Sequence, residues 1–306
     1  MKRYLGQRLL LFIPTVWLLL TVVFFLGRIM PGDPVDLMMG ENAAPEARAG
    51  LRRALRLDEP LSLQYAGFLK DLASGDLGTS LRTRRPVIRE LSEAFPKTVE
   101  LGGTALLLAC AAAFPLALLA GKRPGSPEDR VIRAFTTAGL SLPSFFLGPV
   151  LLLCFAVLWP VLPVSGSDER WSLVLPAVTL AIPLAAVLTR VLRAALLQER
   201  GREYLQTARM KGLDEGRIFR VHALRNALLP PITVLGLQAG AVLTGAILAE
   251  RIFRWPGMGT LVLTAIKSRD YPVVQGAVLW FAAAALASSL AADLLYAWAD
   301  PRVRYG

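Results

Sequence analysis

The residues able to do acid–base, nucleophilic or metal chemistry are few in this sequence and poorly spaced for it. His222 is the only histidine, and the two cysteines, Cys110 and Cys154, both lie inside apolar runs. Such an inventory builds neither a zinc site nor a disulfide scaffold, which need several ligands or thiols at short, defined spacings. No His-Glu-x-x-His or Gly-x-Ser-x-Gly pattern occurs, so metalloprotease and serine-hydrolase chemistry have no starting point. A phosphate loop is missing too: Gly121-Lys122 is followed by Arg123, and Leu116 stands where the first glycine of the loop would fall. The sequence therefore predicts a chain that is not an enzyme and binds no metal or cofactor of its own.

The carboxylates worth weighing are Glu100, Glu250 and Asp293, which flank or enter apolar runs. An ionisable group inside a membrane is a functional candidate by default, and a proton-driven carrier would place one near the midplane. Each of these lies instead near the end of its run. Glu100 and Glu250, with Arg269 and Asp270 in the loop before the last run, are expected at an external interface or partner contact.

The elements that must hold these residues emerge from counting where charge is absent. With 54% hydrophobic and 19% charged residues, the chain is too apolar for an ordinary soluble domain. A helix needs about 20 apolar residues to cross a hydrocarbon core. Six uncharged stretches approach or exceed that length: Leu9–Gly27, Leu101–Gly121, Ala134–Ser167, Trp171–Thr189, Ala227–Ala249 and Tyr271–Ala292. The third runs to 34 residues and carries Pro143, Pro149, Pro160 and Pro163, so its ends are expected to leave the membrane. The first follows Lys2, Arg3 and Arg8 in the manner of a signal peptide, yet it is longer than a signal core and lacks a small-x-small cleavage pattern, so a retained anchor is expected.

Lys and Arg in the short loops fix the orientation. With the N-terminus inside, the cytoplasmic segments hold 18 of them and the short external loops 5, which predicts cytoplasmic termini. The long first loop, Pro31 to Lys97, is balanced at ten basic and ten acidic residues. Pro60 at a first-turn position, then Leu61, Tyr65, Phe68, Leu69 and Leu72 at helical spacing, and Gly75 past the end predict a capped amphipathic helix. A second candidate helix runs through Val87, Ile88, Leu91 and Phe95. The expected division is an N-terminal span (1–30), an external loop element (31–97) and a membrane core (98–306) that includes a cytoplasmic hairpin (199–230).

One cytoplasmic segment is far longer than a hairpin needs. Arg190 to Asn226 holds nine basic and four acidic residues. Glu203 through Lys211 reads as a short helix that Gly212 ends, and Asp214 sits where a cap could open a second helix through Ile218, Val221, Leu224 and Leu228. This helix, glycine, helix hairpin is either a solvated positive loop or a docking element whose apolar residues and small Ala208 fit a groove on a partner.

The same residues carry a resemblance. Tyr204-x-x-Thr207-Ala208-Arg209-x-Lys211-Gly212-Leu213, followed by His222-Ala223-Leu224-Arg225-Asn226, closely resembles the coupling loop of permease subunits in the dipeptide, oligopeptide and nickel branch of the ABC importers. Pro31-Gly32-Asp33-Pro34-Val35, Gly75-Asp76-Leu77-Gly78, Leu162-Pro163-Val164-Ser165-Gly166, Ile252-Phe253-x-Trp255-Pro256-Gly257-x-Gly259, Arg269-Asp270-Tyr271-Pro272 and Asp300-Pro301-Arg302 look like this branch as well. The resemblance implies an all-α, polytopic membrane protein with six transmembrane helices, the type I importer permease fold, in the plasma membrane of a bacterium or archaeon. It implies a second homologous permease, two ATP-binding subunits that use ATP and Mg, an extracytoplasmic solute-binding protein and membrane lipid as partners, and no nucleic acid. Glu203, Tyr204, Thr207, Ala208, Arg209, Lys211, Gly212, Leu213, His222, Arg225 and Asn226 would then form the docking hairpin. Gln206-Thr207-Ala208 replaces the Glu-Ala-Ala of the general importer signature, so a carboxylate contact from its first slot drops out. His222 is expected to make a hydrogen bond inside the hairpin.

A polar substrate needs hydroxyls, amides and small residues facing a shared path. Ser141 and Ser144 on the third span and Thr233, Gln238, Gly240 and Thr244 on the fifth are the candidates. Peptides are the expected cargo, with nickel or another small solute as the alternative and an ion-coupled carrier as the rival mechanism.

Overall fold

The computed structural model describes residues 13–25, 35, 44–54, 56–169 and 171–299, with the backbone alone at 51, 54, 243–245 and 292–299. Pro31–Pro34, Asp300–Arg302 and the side chains of Thr244 and Asp293 lie outside the described residues. The described part is helical, with a single isolated bridge between Thr79 and Pro86. Each of the six uncharged stretches contains helix, the third of them two helices and the first described over Ile13–Phe25, shorter than a span. We number the helices α1 (Ile13–Phe25), α2 (Pro45–Ala54), α3 (Leu61–Ala73), α4 (Val87–Lys122), α5 (Pro127–Ser141) and α6 (Ser144–Leu158, of which Leu153–Leu158 is π-helical). There follow α7 (Val174–Arg200), α8 (Glu203–Met210), α9 (Glu215–Arg217, a π turn Ile218–Ala223, and Leu224–Ala227), α10 (Leu229–Phe253), α11 (Met258–Lys267) and α12 (Tyr271–Ala299).

The helices α4, α7 and α12 are each long and apolar enough to cross a membrane alone, and the bent pair α5–α6 and the bent helix α10 are candidates for two further spans. Surface composition agrees: Leu107, Phe135, Leu237 and Trp159 are each about two-thirds exposed or more, which suits a lipid or protein neighbour rather than water.

Two compact units divide the described residues. One comprises the stretch up to Pro96 with Thr260–Ala283. In it α3 packs on α1, with Phe24 held edge-on against Tyr65 (5.1 Å between centroids) and beside Phe68 (5.6 Å), and Tyr65 hydroxyl 2.7 Å from Thr21 Oγ1. The expected external helix is thus present, with Pro60 as its N-cap rather than inside its first turn, and Gly75 (φ +79°) past its end. The second external candidate is not separate: Val87, Ile88, Leu91 and Phe95 form the first turns of the 36-residue α4. Grouping Thr260–Ala283 with the N-terminal part also departs from the expected division, which ran the core unbroken from residue 98.

The other unit comprises Lys97–Gly259 with the chain from Ala284 onward. Here α7 is the central helix, packed by α5, α6, α9 and α10. Small residues permit the close approach: Ala105, Ala109 and Ala113 of α4 meet Ala181, Leu184 and Leu188 of α7, and Gly139 of α5 sits against Ile182 and Ala186. The expected third span is not one rod but α5 and α6 crossing at 103°. The break falls at Leu142-Pro143, because proline disfavours helical backbone in the residue before it; Leu142 is extended at ψ 115°.

Candidate functional site: the hairpin of α8 and α9

The hairpin is built by local rules readable from its sequence. Gly212 adopts φ +75°, its amide donates to the Arg209 carbonyl (2.9 Å) and the Leu213 amide to the Ala208 carbonyl (3.3 Å). That pair of bonds is the Schellman arrangement, which wants glycine at the left-handed position. Asp214 then caps α9, its carboxylate accepting from the Arg217 amide at 3.2 Å. An Arg209–Glu215 ion pair at 2.6 Å joins the two arms. The Glu215 hydrogen bond first, and its charge second, raise the Arg209 pKa further above its ordinary value.

The hairpin has its own core of Leu205, Ala208, Ile218 and Ala223, with Leu213 and Phe219 against it. This corrects the expectation for Ala208. It is 9% exposed, so it is spent inside the hairpin and is not offered to a partner's groove. Leu213 turns inward as well. The exposed side carries Glu203, Tyr204, Thr207, Arg209, Lys211 and Arg225, and at the tip Met210, 81% exposed. Sequence reasoning passed over Met210; its position on α8, two residues from buried Ala208 and five from buried Leu205, puts it on the opposite face.

Tyr204 ties the hairpin to the helix before it. Its hydroxyl donates to Glu199 Oε2 of α7 (2.5 Å) and accepts from Asn226 Nδ2 of α9 (2.9 Å). Partial burial and then the bond to Glu199 push the phenol pKa up, so it stays a neutral donor. His222 contributes differently from expectation: its backbone carbonyl, 3.5 Å from the Tyr204 hydroxyl, faces this network, and no hydrogen bond of its ring is among those described. A second cluster, Ala117, Leu192, Ala195, Leu196 and Ala227 with Phe219 and Leu224, seats the hairpin on the ends of α4 and α7. The hairpin is thus joined to two long helices by packed side chains.

Nearby, buried Asp129 pairs with the half-buried Arg193, a pair that sequence reasoning did not single out. Arg193 Nε and Nη2 donate to the two Asp129 oxygens at 2.6 and 2.8 Å, joining α5 to α7. Asp129 also accepts from the Gly125 amide (2.9 Å), while the Ser126 hydroxyl oxygen accepts from the Asp129 amide (3.2 Å). The Ser126-x-x-Asp129 spacing is a capping pattern, and it was the available signal.

The residues expected at an external interface separate. Glu100 is exposed and pairs with Lys97 at 3.2 Å, and Arg269 is exposed at φ +53°. Glu250 and Asp270 are not surface residues. Glu250 is fully buried and accepts from Thr98 Oγ1 at 2.6 Å, while that oxygen accepts from the Met258 amide at 2.8 Å. Asp270, 2% exposed, accepts from Ser80 Oγ (2.5 Å) and the amides of Leu81 and Arg82 (3.0 and 3.2 Å). Both carboxylates lock loops within the chain.

The pathway candidates are not drawn together. Ser141 and Thr233 hydroxyls donate back to the Thr137 and Leu229 carbonyls of their own helices. Ser144 opens α6 on the far side of the break from Ser141. Thr233 and Gln238, five residues apart on α10, point about 140° from each other. Gly240 faces Ala285 and Ser288 of α12 at helix-packing distance.

Comparisons with known proteins agree with this architecture over the whole chain. Residues 1–102 match the N-terminal region of the binding-protein-dependent transport system membrane components, and residues 113–305 match the binding-protein-dependent transport system inner membrane component. The chain is 39% identical to the di/tripeptide transport system permease protein DppB of Pseudomonas aeruginosa (strain UCBPP-PA14), covering 100% of this chain and 99% of that protein. It is 38% identical to the dipeptide transport system permease protein DppB of Escherichia coli (strain K12) over the same shares. To the glutathione transport system permease protein GsiC of Pectobacterium atrosepticum it is 39% identical, covering all of both chains. Among solved structures, an inward-facing MetNI methionine ABC transporter chain superposes with a TM-score of 0.59 at 16% identity, covering 69% of this chain and 96% of that one, a likeness of fold. The apolar helices, the broken span and the packed hairpin thus have a common explanation: this chain belongs to the family of binding-protein-dependent transport system inner membrane components.

Proposed function

We propose that the chain is a membrane-spanning permease subunit of an ATP-driven ABC importer, that it forms half of a translocation pathway for di- or oligopeptides, and that its hairpin docks on an ATP-binding subunit. In this reading the chain works beside a second homologous permease, two ATP-binding subunits that bind ATP and Mg, and an extracytoplasmic binding protein that presents the peptide. The hairpin and both termini face the cytoplasm, in keeping with the Lys and Arg excess of those segments. Peptide cargo is supported by the names of relatives similar over their full length.

The single observation that carries the docking role is Met210. Its flexible apolar side chain, 81% exposed at the hairpin tip against 53% for Val221, lies outside the hairpin's own core. Flanked by Thr207 and Lys211, it makes a knob for a groove on a partner protein. Changing Met210→Asp places a charge in that contact. The assembled transporter should then lose its ATP-binding subunits on purification, while the amount of this chain in the membrane is unchanged. Undiminished co-purification and uptake would overturn the docking role.

A further inference from the structure

Beside the hairpin lies a cleft that the docking role leaves unused. It encloses about 900 Å³ between the last turns of α4 and the inner side of α9. Leu118 and Leu119 of α4 form one wall and Ile218 and Phe219 the other. The mouth is basic: Lys122 ends α4, Arg200 ends α7, and Arg220 projects from α9. Arg200 Nη2 donates to the Lys122 carbonyl at 2.8 Å, which ties the end of α7 to the end of α4, and Arg220 Nε donates to the Gly216 carbonyl at 3.2 Å. The only carboxylate in the lining, Glu215, is engaged by Arg209 at 2.6 Å. Among the described residues Lys122, Arg200 and Arg220 form no ion pair.

We propose that this cleft binds one anionic phospholipid, its phosphate between Lys122, Arg200 and Arg220 and an acyl chain along Leu118, Leu119 and Phe219. Two properties select this occupant. Two cations at the ends of membrane-length helices, with a third from α9, attract a phosphate at the headgroup level, as basic clusters between spans do. Below them the walls are apolar for the seven residues from Lys122 back to Pro115, about 10 Å of helix, which a free phosphate ion would leave empty. A neutral lipid would fill the walls but leave the cations without a counter-charge. The bound lipid would tie α4, α7 and α9 together where the hairpin meets the membrane helices, making the transporter's activity sensitive to anionic lipid.

The test uses the assembled transporter in nanodiscs of phosphatidylcholine with or without phosphatidylglycerol. Lipid retained after detergent extraction is counted by native mass spectrometry. One phosphatidylglycerol should remain on the wild type. Its affinity should fall about fivefold for each charge removed, hence by about two orders of magnitude in K122Q/R200Q/R220Q, while K122R/R200K/R220K retains it. Excess inorganic phosphate should not displace it. Equal retention by the neutral triple variant, or displacement by inorganic phosphate, would overturn the proposal. Should that variant fail to assemble, Leu119→Cys labelled with benzophenone maleimide decides: on irradiation it should cross-link to phosphatidylglycerol, and cross-linking to a partner subunit instead would show that a protein segment fills the cleft. Continued co-purification of the ATP-binding subunits with the triple variant would keep this outcome separate from the fate of Met210 docking.

Discussion

At the residue scale, two buried carboxylates carry the sharpest consequences. The Asp129 side chain is 1% exposed and doubly bonded by Arg193, with a mostly exposed Arg133 at 3.7 Å. Replacing Arg193→Met leaves that carboxylate with the Gly125 amide and the exposed Arg133, and loss of the main partner of a buried charge costs about 3 kcal/mol. The double variant Asp129→Leu, Arg193→Met removes the stranded charge and should recover most of that loss, as thermal unfolding of the purified chain in detergent would record. Thr98→Val acts more mildly. It removes a donor from Glu250 and leaves the Met258 amide without its acceptor, for about 1–3 kcal/mol by the same measurement. Neither pair declares itself in the sequence. Asp129 and Arg193 are 64 positions apart and Thr98 and Glu250 152, so only the fold brings them together, and a carboxylate beside an apolar run reads equally well as an interface residue.

At the element scale, the hairpin is the part most legible in advance, because its ends are set by local chemistry. Gly212→Ala meets no atom within 4 Å, so its cost is the left-handed backbone alone, about 1–2 kcal/mol, and Gly212→Asn should cost less. Hydrogen exchange in α8 and α9 should rise for the alanine variant and less for the asparagine one. Gly257 is a different case: a Cβ there would stand 2.2 Å from Glu250 Oε1. Gly257→Ala therefore cannot be accommodated by backbone relaxation alone, and this chain should be lost from the membrane fraction in quantitative immunoblots. Apolar helices were located by the absence of charge, but their lengths were not measured by it. The uncharged run ends at Thr189 while α7 continues to Arg200, and α4 begins at Val87, well before the run at Leu101. Charge marks where the hydrocarbon ends, whereas a helix continues until a cap or a break. Helix α11 was missed because Met258–Lys267 lies between charged residues in a stretch too short to count as a span. Ala208 was misplaced because a small residue fits a partner's groove and its own hairpin's core equally well.

At the scale of the whole molecule, the net charge of +11 is concentrated in the segments read as cytoplasmic, and the hairpin segment holds the largest share of it. The three cations at the cleft and the exposed Arg209, Lys211 and Arg225 are part of that excess. On the reading proposed above, one face of the permease would offer Met210 to a protein partner and the basic cleft to lipid, with energy supplied by another chain. Replacing Met210→Asp should accordingly leave membrane content intact while peptide uptake by cells carrying the transporter falls to background. The most direct test of the central claim is uptake of a radiolabelled dipeptide into proteoliposomes. These would contain this chain, its partner permease, the ATP-binding subunits and the binding protein, with and without ATP and with and without a proton gradient. The account predicts uptake that requires ATP, ignores the proton gradient and stops when the ATP-binding subunits are omitted. Uptake by this chain alone, driven by an ion gradient without ATP, would contradict it.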